Sequence, residues 1–97
     1  MGTPQITVCV LLHGGEEHAW LHKRCLESLR AVLPSSRCVF HFGLNAMTAA
    51  STQAELREFT QGCAQVREYA GDNIGKYPRM REMLADVTTD HVMWFDD

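Results

Sequence analysis

The feature that most constrains the fold is a regular alternation of short apolar runs with longer segments of helical periodicity. The apolar runs have the length of β-strands and cover residues 6–12, 37–43, 66–70 and 91–95. The helical segments between them run from Glu16 to Pro34, from Gln53 to Gly62, and over residues 76–86. Such alternation with short connections is typical of a parallel sheet with right-handed crossovers and helices on both faces. We therefore predict one α/β domain over residues 1–97, three-layered and Rossmann-like, with a parallel four-stranded sheet ordered 3-2-1-4.

The first and third apolar runs predict different places in that sheet. Residues 6–12 are apolar at nearly every position, which suits a central strand that helices cover on both faces. Arg67 and Glu68 interrupt the run 66–70, and charged residues of this kind are typical of an edge strand.

The helical segments predict particular starts and buried faces. Glu16 and Glu17 open the first helix, where negative charge favours the helix dipole. The pattern Thr52-x-x-Glu55 matches a capping box, which predicts a second helix that begins near Gln53. Apolar residues at helical spacing predict the buried faces of the first helix (Trp20, Leu21, Leu26, Leu29, Val32 and Leu33) and of the third (Tyr77, Met80, Met83, Leu84 and Val87).

Composition excludes several classes of protein. The chain has 45% hydrophobic residues, 22% charged residues and a net charge of −3, as in an ordinary globular domain without a basic patch for nucleic acid. No apolar run approaches the roughly 18 residues of a membrane span. The four cysteines, none in a Cys-x-x-Cys pattern, predict free thiols in a reducing compartment, and hence a cytoplasmic protein; they are Cys9, Cys25, Cys38 and Cys63.

Histidine spacing offers a weak metal-site hypothesis. His18, His22 and Cys25 fall on roughly one face of the first helix. No further ligand pair has zinc-like spacing, so we expect His18 and His22 to be solvated residues of the helix surface instead.

An acidic pair, Asp96 and Asp97, follows the fourth strand directly. Adjacent carboxylates repel each other, and an Mg²⁺ or Mn²⁺ ion shared with a diphosphate would remove that repulsion. The alternative is an acidic turn, because aspartate is common in turns.

Further polar positions are expected near the same rim of the sheet. With the order 3-2-1-4 the topology switches between strands 1 and 4, and ligands of such sheets bind outside the carboxyl ends at that point. His13 and Gly14 follow the first strand there, and Asn45 closes the second, either facing a ligand or as a turn residue.

The loop before the third helix completes this rim. Asn73, Gly75 and Lys76 combine a glycine, a lysine and a coming helix N-terminus, which together suit an anion. A simple turn is the alternative.

The combination of two of these motifs resembles a known family. Asn73-x-Gly75-Lys76 leading into a helix, followed by residues 89–97 with the ending Trp94-Phe95-Asp96-Asp97, is similar to the family 2 nucleotide-sugar glycosyltransferases. The resemblance covers essentially the whole chain. It implies a partial GT-A fold whose D-x-D-type motif ends the fourth strand.

The resemblance also implies roles for these residues. Asp96 would contact the ribose of a nucleoside diphosphate sugar, Asp97 would approach Mg²⁺ or Mn²⁺, and the other rim residues would surround the nucleotide. The family's catalytic base would lie beyond Asp97, so we expect residues 1–97 to be the donor-binding half of such an enzyme and to be inactive alone.

The sequence offers two alternative functions. A non-catalytic α/β module could associate with itself, as a homodimer through the exposed edge of the fourth strand. Phosphotransfer through an aspartyl nucleophile is disfavoured, because the first strand ends in His13 and not in an aspartate.

Overall fold

A computed structural model describes residues 5–33, 37–63 and 65–96. The strands are β1 (Ile6–His13), β2 (Cys38–Asn45), β3 (Gln65–Gly71) and β4 (His91–Asp96). The helices are α1 (Ala19–Val32), α2 (Ala50–Thr60) and α3 (Lys76–Ala85), with a 3₁₀ turn at Glu16–His18 before α1.

The strands form one parallel sheet with the order β3-β2-β1-β4. In this sheet Ile6 of β1 lies opposite Cys38 of β2 and opposite His91 of β4. The predicted fold class and strand order are therefore confirmed, with β1 in the interior and β3 at an edge. β1 and β2 take the two interior places because they carry the runs that are buried on both faces.

The larger core lies between the sheet and the helices α1 and α2. Alternate residues of β1 and β2 face this layer, with Leu26 and Leu29 from α1 and Leu56 and Phe59 from α2 packed against them. The sheet contributes Val8, Val10, Leu12, Cys38, Phe40, Phe42 and Leu44. Phe59 packs edge-on against both Phe40 and Phe42.

Helix α3 covers the opposite face of the sheet and packs on β2 and β1. Gly43 allows this close approach, since a Cβ at that position would lie 2.5 Å from Sδ of Met83. His41 of β2 donates a hydrogen bond from Nδ1 to the carbonyl of Met83 over 2.9 Å. Burial lowers the pKa of His41 below its ordinary value, so the ring is neutral at pH 7.

The predicted buried faces of the helices need correction. Four of the predicted core residues are exposed: Trp20, Val32, Tyr77 and Leu84. The polar residues His22 and Arg79 are buried instead. The buried stripe of α1 runs through His22, Leu26 and Leu29, which turns Trp20 away from the sheet. The prediction failed because it counted apolar residues only, and both buried polar side chains have internal hydrogen-bond partners.

The predicted start of the second helix is also wrong. Helix α2 begins at Ala50, and Thr52 lies inside its first turn with no cap hydrogen bond of its own. The backbone N–H of Ser51 instead donates to the Glu16 carboxylate over 3.1 Å. Glu16 thus lies in the 3₁₀ turn and caps α2. The sequence pattern predicted instead that it would open the first helix.

Two general properties of the described residues bear on the class of protein. The four cysteines are free thiols, with Cys9 and Cys38 buried. Over residues 5–33, 37–63 and 65–96, none of the helices has the length and apolar character needed to cross a membrane.

Candidate functional site

A cavity of about 450 Å³ lies at the carboxyl ends of β1, β2 and β4, beside the N-terminus of α3. Its lining brings together residues that are distant in the sequence: Leu11, His13, Asn45, Asn73, Gly75, Lys76 and Asp96. Every predicted nucleotide-binding residue except Gly14 is in this set. Asp97, the predicted metal ligand, lies outside the described residues.

An ion pair spans the cavity between α3 and β4. Nζ of Lys76 lies 2.7 Å from Oδ2 of Asp96, and both side chains are 44% exposed. The indole N–H of Trp94 donates to Oδ1 of the same carboxylate over 2.8 Å. These two donors hold Asp96 at the rim of the cavity.

The ion pair keeps both groups charged. Burial raises the pKa of Asp96, but the hydrogen bonds from Lys76 and Trp94 outweigh burial, so the pKa lies below its ordinary value. The hydrogen bond to Asp96 in turn raises the pKa of Lys76. One cation and one anion therefore line the cavity at neutral pH.

The loop between β3 and α3 has a defined turn. Oδ1 of Asn73 accepts a hydrogen bond from the backbone N–H of Gly75 over 3.0 Å. Gly75 has φ 91°, a left-handed conformation that favours glycine, and it precedes the first residue of α3, Lys76. This turn brings the lysine and the helix N-terminus to the cavity together.

Asn45 connects that loop to the end of β2. Its side chain is buried (the residue is 3% exposed), and Nδ2 donates to the carbonyl of Gly75 over 3.1 Å. Oδ1 accepts from Nε of Arg79 over 2.8 Å. Asn45 lines the cavity, as predicted, but its amide already holds two parts of the protein together.

Arg79 lies beside this site, bonded to Asn45, and is not among the predicted site residues. It is 4% exposed. Besides its bond to Asn45, Nη2 donates to the carbonyl of Asp72 over 2.8 Å and Nη1 to the carboxylate of Glu82 over 2.8 Å. A signal for the burial of Arg79 was available in the sequence. Arg79 lies four residues before the buried Met83, which places both residues on one face of α3.

A buried histidine, His22, holds the turn after β1 in place. Nε2 of His22 donates to the carbonyl of His13, and Nδ1 bonds the hydroxyl of Thr52, both over 2.8 Å. The expectation that His22 is solvated is therefore wrong, since the residue is 0% exposed. The His22 ring thus joins β1, α1 and α2, and both of its nitrogens have hydrogen-bond partners inside the protein.

Gly14 contributes backbone geometry to this turn. Its φ is 85°, and a Cβ there would collide with the ring of His18. Its N–H donates to the carbonyl of Asn45, and its carbonyl accepts from Thr48. Gly14 thus ties the end of β1 to the end of β2 and to the segment before α2.

Metal binding depends on which side chains lie close together. Within the described ranges no group of three or more His, Cys, Asp or Glu side chains is arranged to hold a metal ion. His22 is already engaged by His13 and Thr52. At the cavity the described residues offer one carboxylate, Asp96, and an Mg²⁺ site of the usual kind needs only one or two carboxylates with phosphate oxygens and waters.

We compared the chain with known proteins in three ways. No protein-family model, no curated protein and no solved structure matches it.

Proposed function

We propose that the cavity between β1, β4 and α3 binds the nucleoside diphosphate part of a sugar nucleotide. In this proposal the chain is the donor-binding part of a metal-dependent glycosyltransferase of the family 2 type, which moves the sugar to an acceptor hydroxyl. The observation that carries it is the convergence of Asn73, Gly75, Lys76 and Asp96 on one cavity of about 450 Å³.

The diphosphate is assigned to Lys76 and the N-terminus of α3. Helix N-termini present unpaired N–H groups and a partial positive charge, which favours phosphate. Lys76 adds a full positive charge at the same place. Its present partner, Asp96, is half-exposed, so an anion can compete for the ammonium group.

The ribose is assigned to Asp96. A carboxylate has about four acceptor positions. Lys76 and Trp94 use one on each oxygen, which leaves acceptor capacity for the two hydroxyl groups of a ribose. Asn45, His13 and Gly14 would border the rest of the nucleotide.

The metal is assigned to Asp97 together with the diphosphate, on the basis of the sequence resemblance alone. When bound, Mg²⁺ or Mn²⁺ would supply electrostatic stabilisation of the departing diphosphate. The residues that would bind the acceptor and act as the base belong, in this proposal, to the parent enzyme beyond Asp97.

Titration of the chain with UDP, GDP and ADP, with and without Mg²⁺, tests the proposal by calorimetry. We expect at least one diphosphate to bind and Lys76→Gln to weaken it by about tenfold or more, because a charge-assisted hydrogen bond is lost. Lys23→Gln, which removes an exposed lysine from α1, is the matched control and should change nothing. Absence of binding by all three nucleotides at about 1 mM, or equal affinity in the Lys76 variant, would refute the assignment.

A second candidate function is self-association as a non-catalytic module. Among the described residues β4 pairs with β1 alone, and Val92 and Met93 on it are 46% and 37% exposed. An unpaired strand edge with apolar side chains is a template for a second copy. In this proposal the chain forms a homodimer in the cytoplasm, a reducing compartment that suits its free thiols.

Sedimentation at micromolar concentration distinguishes the two candidates. If the protein is a dimer and Val92→Lys converts it to a monomer that still binds nucleotide, the chain pairs through the β4 edge independently of nucleotide binding. A monomer of 11.0 kDa at every concentration contradicts it.

A further inference from the structure

A second cavity, of about 540 Å³, lies between α2 and the carboxyl end of β3. It is on the face of the sheet that α2 covers. Buried apolar residues form its floor: Leu44, Met47 and Leu56. The rest of the lining combines small residues (Ala46, Ala70 and Gly71) with polar and charged ones (Thr48, Gln53, Arg57, Glu68 and Asp72). None of its lining residues belongs to the candidate nucleotide cavity.

The register of the sheet explains why this cavity is open. Glu68 lies opposite Phe42 and Ala70 opposite Leu44, so both β3 residues face the α2 layer. Helix α2 packs over β2 but leaves these two residues exposed. A groove therefore runs beside the end of β3, with α2 as its other wall.

The two walls of the groove carry opposite charges. Arg57 extends from α2, whereas Glu68 and Asp72 come from β3 and the loop after it. In the described part of the chain none of these three side chains has an ion pair or hydrogen bond. On the opposite face of β3, by contrast, Arg67 is paired with Asp86.

The backbone at the end of the groove is held in an uncommon conformation. Ala46 has φ 46°, in the left-handed region that residues other than glycine rarely adopt. Its N–H donates to the carbonyl of Gly71 over 2.8 Å, which ties the ends of β2 and β3 together. Such strained residues are found preferentially at functional sites.

We propose that this groove is a binding site for a free basic amino acid, of the class of L-arginine and L-lysine. Such a ligand carries one carboxylate and two cationic groups, which complements one arginine and two carboxylates. Its carboxylate binds Arg57, its cationic groups bind Glu68 and Asp72, and its methylene chain lies on the apolar floor. Both apolar contact and convergent polar groups are typical of small-molecule sites.

The test is a titration of the isotopically labelled chain with L-arginine and L-lysine, followed by NMR of the backbone amides. We expect saturable shifts at Ala46 and Gly71, and about tenfold weaker binding for Arg57→Gln and for Glu68→Gln, because each loses a charge-assisted contact. Both substitutions are at exposed positions, so the fold should be kept.

The controls separate a site from general charge effects. Arg24→Gln and Glu58→Gln remove the same charges from exposed positions outside the groove and should leave affinity unchanged. L-Glutamate has the opposite charge balance and should not bind. The proposal is overturned by no saturable shift at about 10 mM of either basic amino acid, by equal binding of L-glutamate, or by unchanged affinity in both groove variants. None of these results depends on whether a nucleotide binds the other cavity.

Discussion

Replacement of Arg79 by methionine is expected to destabilise the protein strongly. Methionine keeps an unbranched apolar stem in the buried space but removes every donor. The substitution therefore leaves Oδ1 of Asn45 and the carbonyl of Asp72 without the hydrogen bonds that they now accept. The third partner, Glu82, is half-exposed and returns to water at little cost.

The magnitude follows from these lost contacts. A buried acceptor left without a donor costs about 1–3 kcal/mol. The amide of Asn45 is buried and the Asp72 carbonyl is only partly buried, so we expect a loss of about 2–4 kcal/mol in the free energy of unfolding. For a domain of this size that corresponds to a fall in Tm of at least about 8 °C.

Urea and thermal denaturation, followed by circular dichroism, measure the effect. The matched control is Arg81→Met, which removes an exposed arginine from the same helix and should change stability by less than about 0.5 kcal/mol. If the two variants lose equal stability, or if Arg79→Met loses less than about 1 kcal/mol, the hydrogen bonds of Arg79 do not hold the loop as inferred.

Three further predictions concern other parts of the fold. The pKa of His41 is lower in the folded protein than in the unfolded chain, so the unfolded chain binds more protons. The free energy of unfolding should therefore fall as the pH drops below 6.5 and through the folded pKa. Urea titrations at several pH values should show a smaller fall for His41→Leu. Gly43→Ala should lower the free energy of unfolding by about 1–3 kcal/mol, because the added methyl group overpacks against Met83. In a double-mutant cycle with Met83→Ala the two losses should be less than additive. Additive losses would contradict the close packing of Gly43 and Met83. Glu16→Ala should speed amide hydrogen exchange at Ser51, while Glu27→Ala should not; unchanged exchange would show that Glu16 is not the cap.

The sequence predicted the sheet well because the information was local. Strands buried on both faces have nearly continuous apolar runs. β1 has such a run, and β2 departs from it chiefly at His41 and Gly43. The convergence of Lys76 and Asp96 was predictable for a related reason, since the ends of parallel strands and the helices that follow them meet at one edge.

Long-range polar contacts were not predictable in the same way. His22 and Arg79 are buried because partners 9 to 34 residues away accept or donate their hydrogen bonds. The cap of α2 comes from Glu16, 35 residues before Ser51, and it replaces the local pattern that Thr52 offered. A periodicity analysis weighs neighbours along the chain and has no access to such partners.

The place of Asp96 on β4 has a consequence for the order in which parts of the protein open. In the described chain β4 has a single neighbouring strand, and its first three residues are exposed, so its local opening should cost less free energy than that of β1 or β2. One wall of the candidate nucleotide cavity thus belongs to a segment that should open easily, while Asn45 and Arg79 on the other side are buried. A ligand that contacts both Lys76 and Asp96 would bind only the closed arrangement and would slow hydrogen exchange along β4 in proportion to its occupancy.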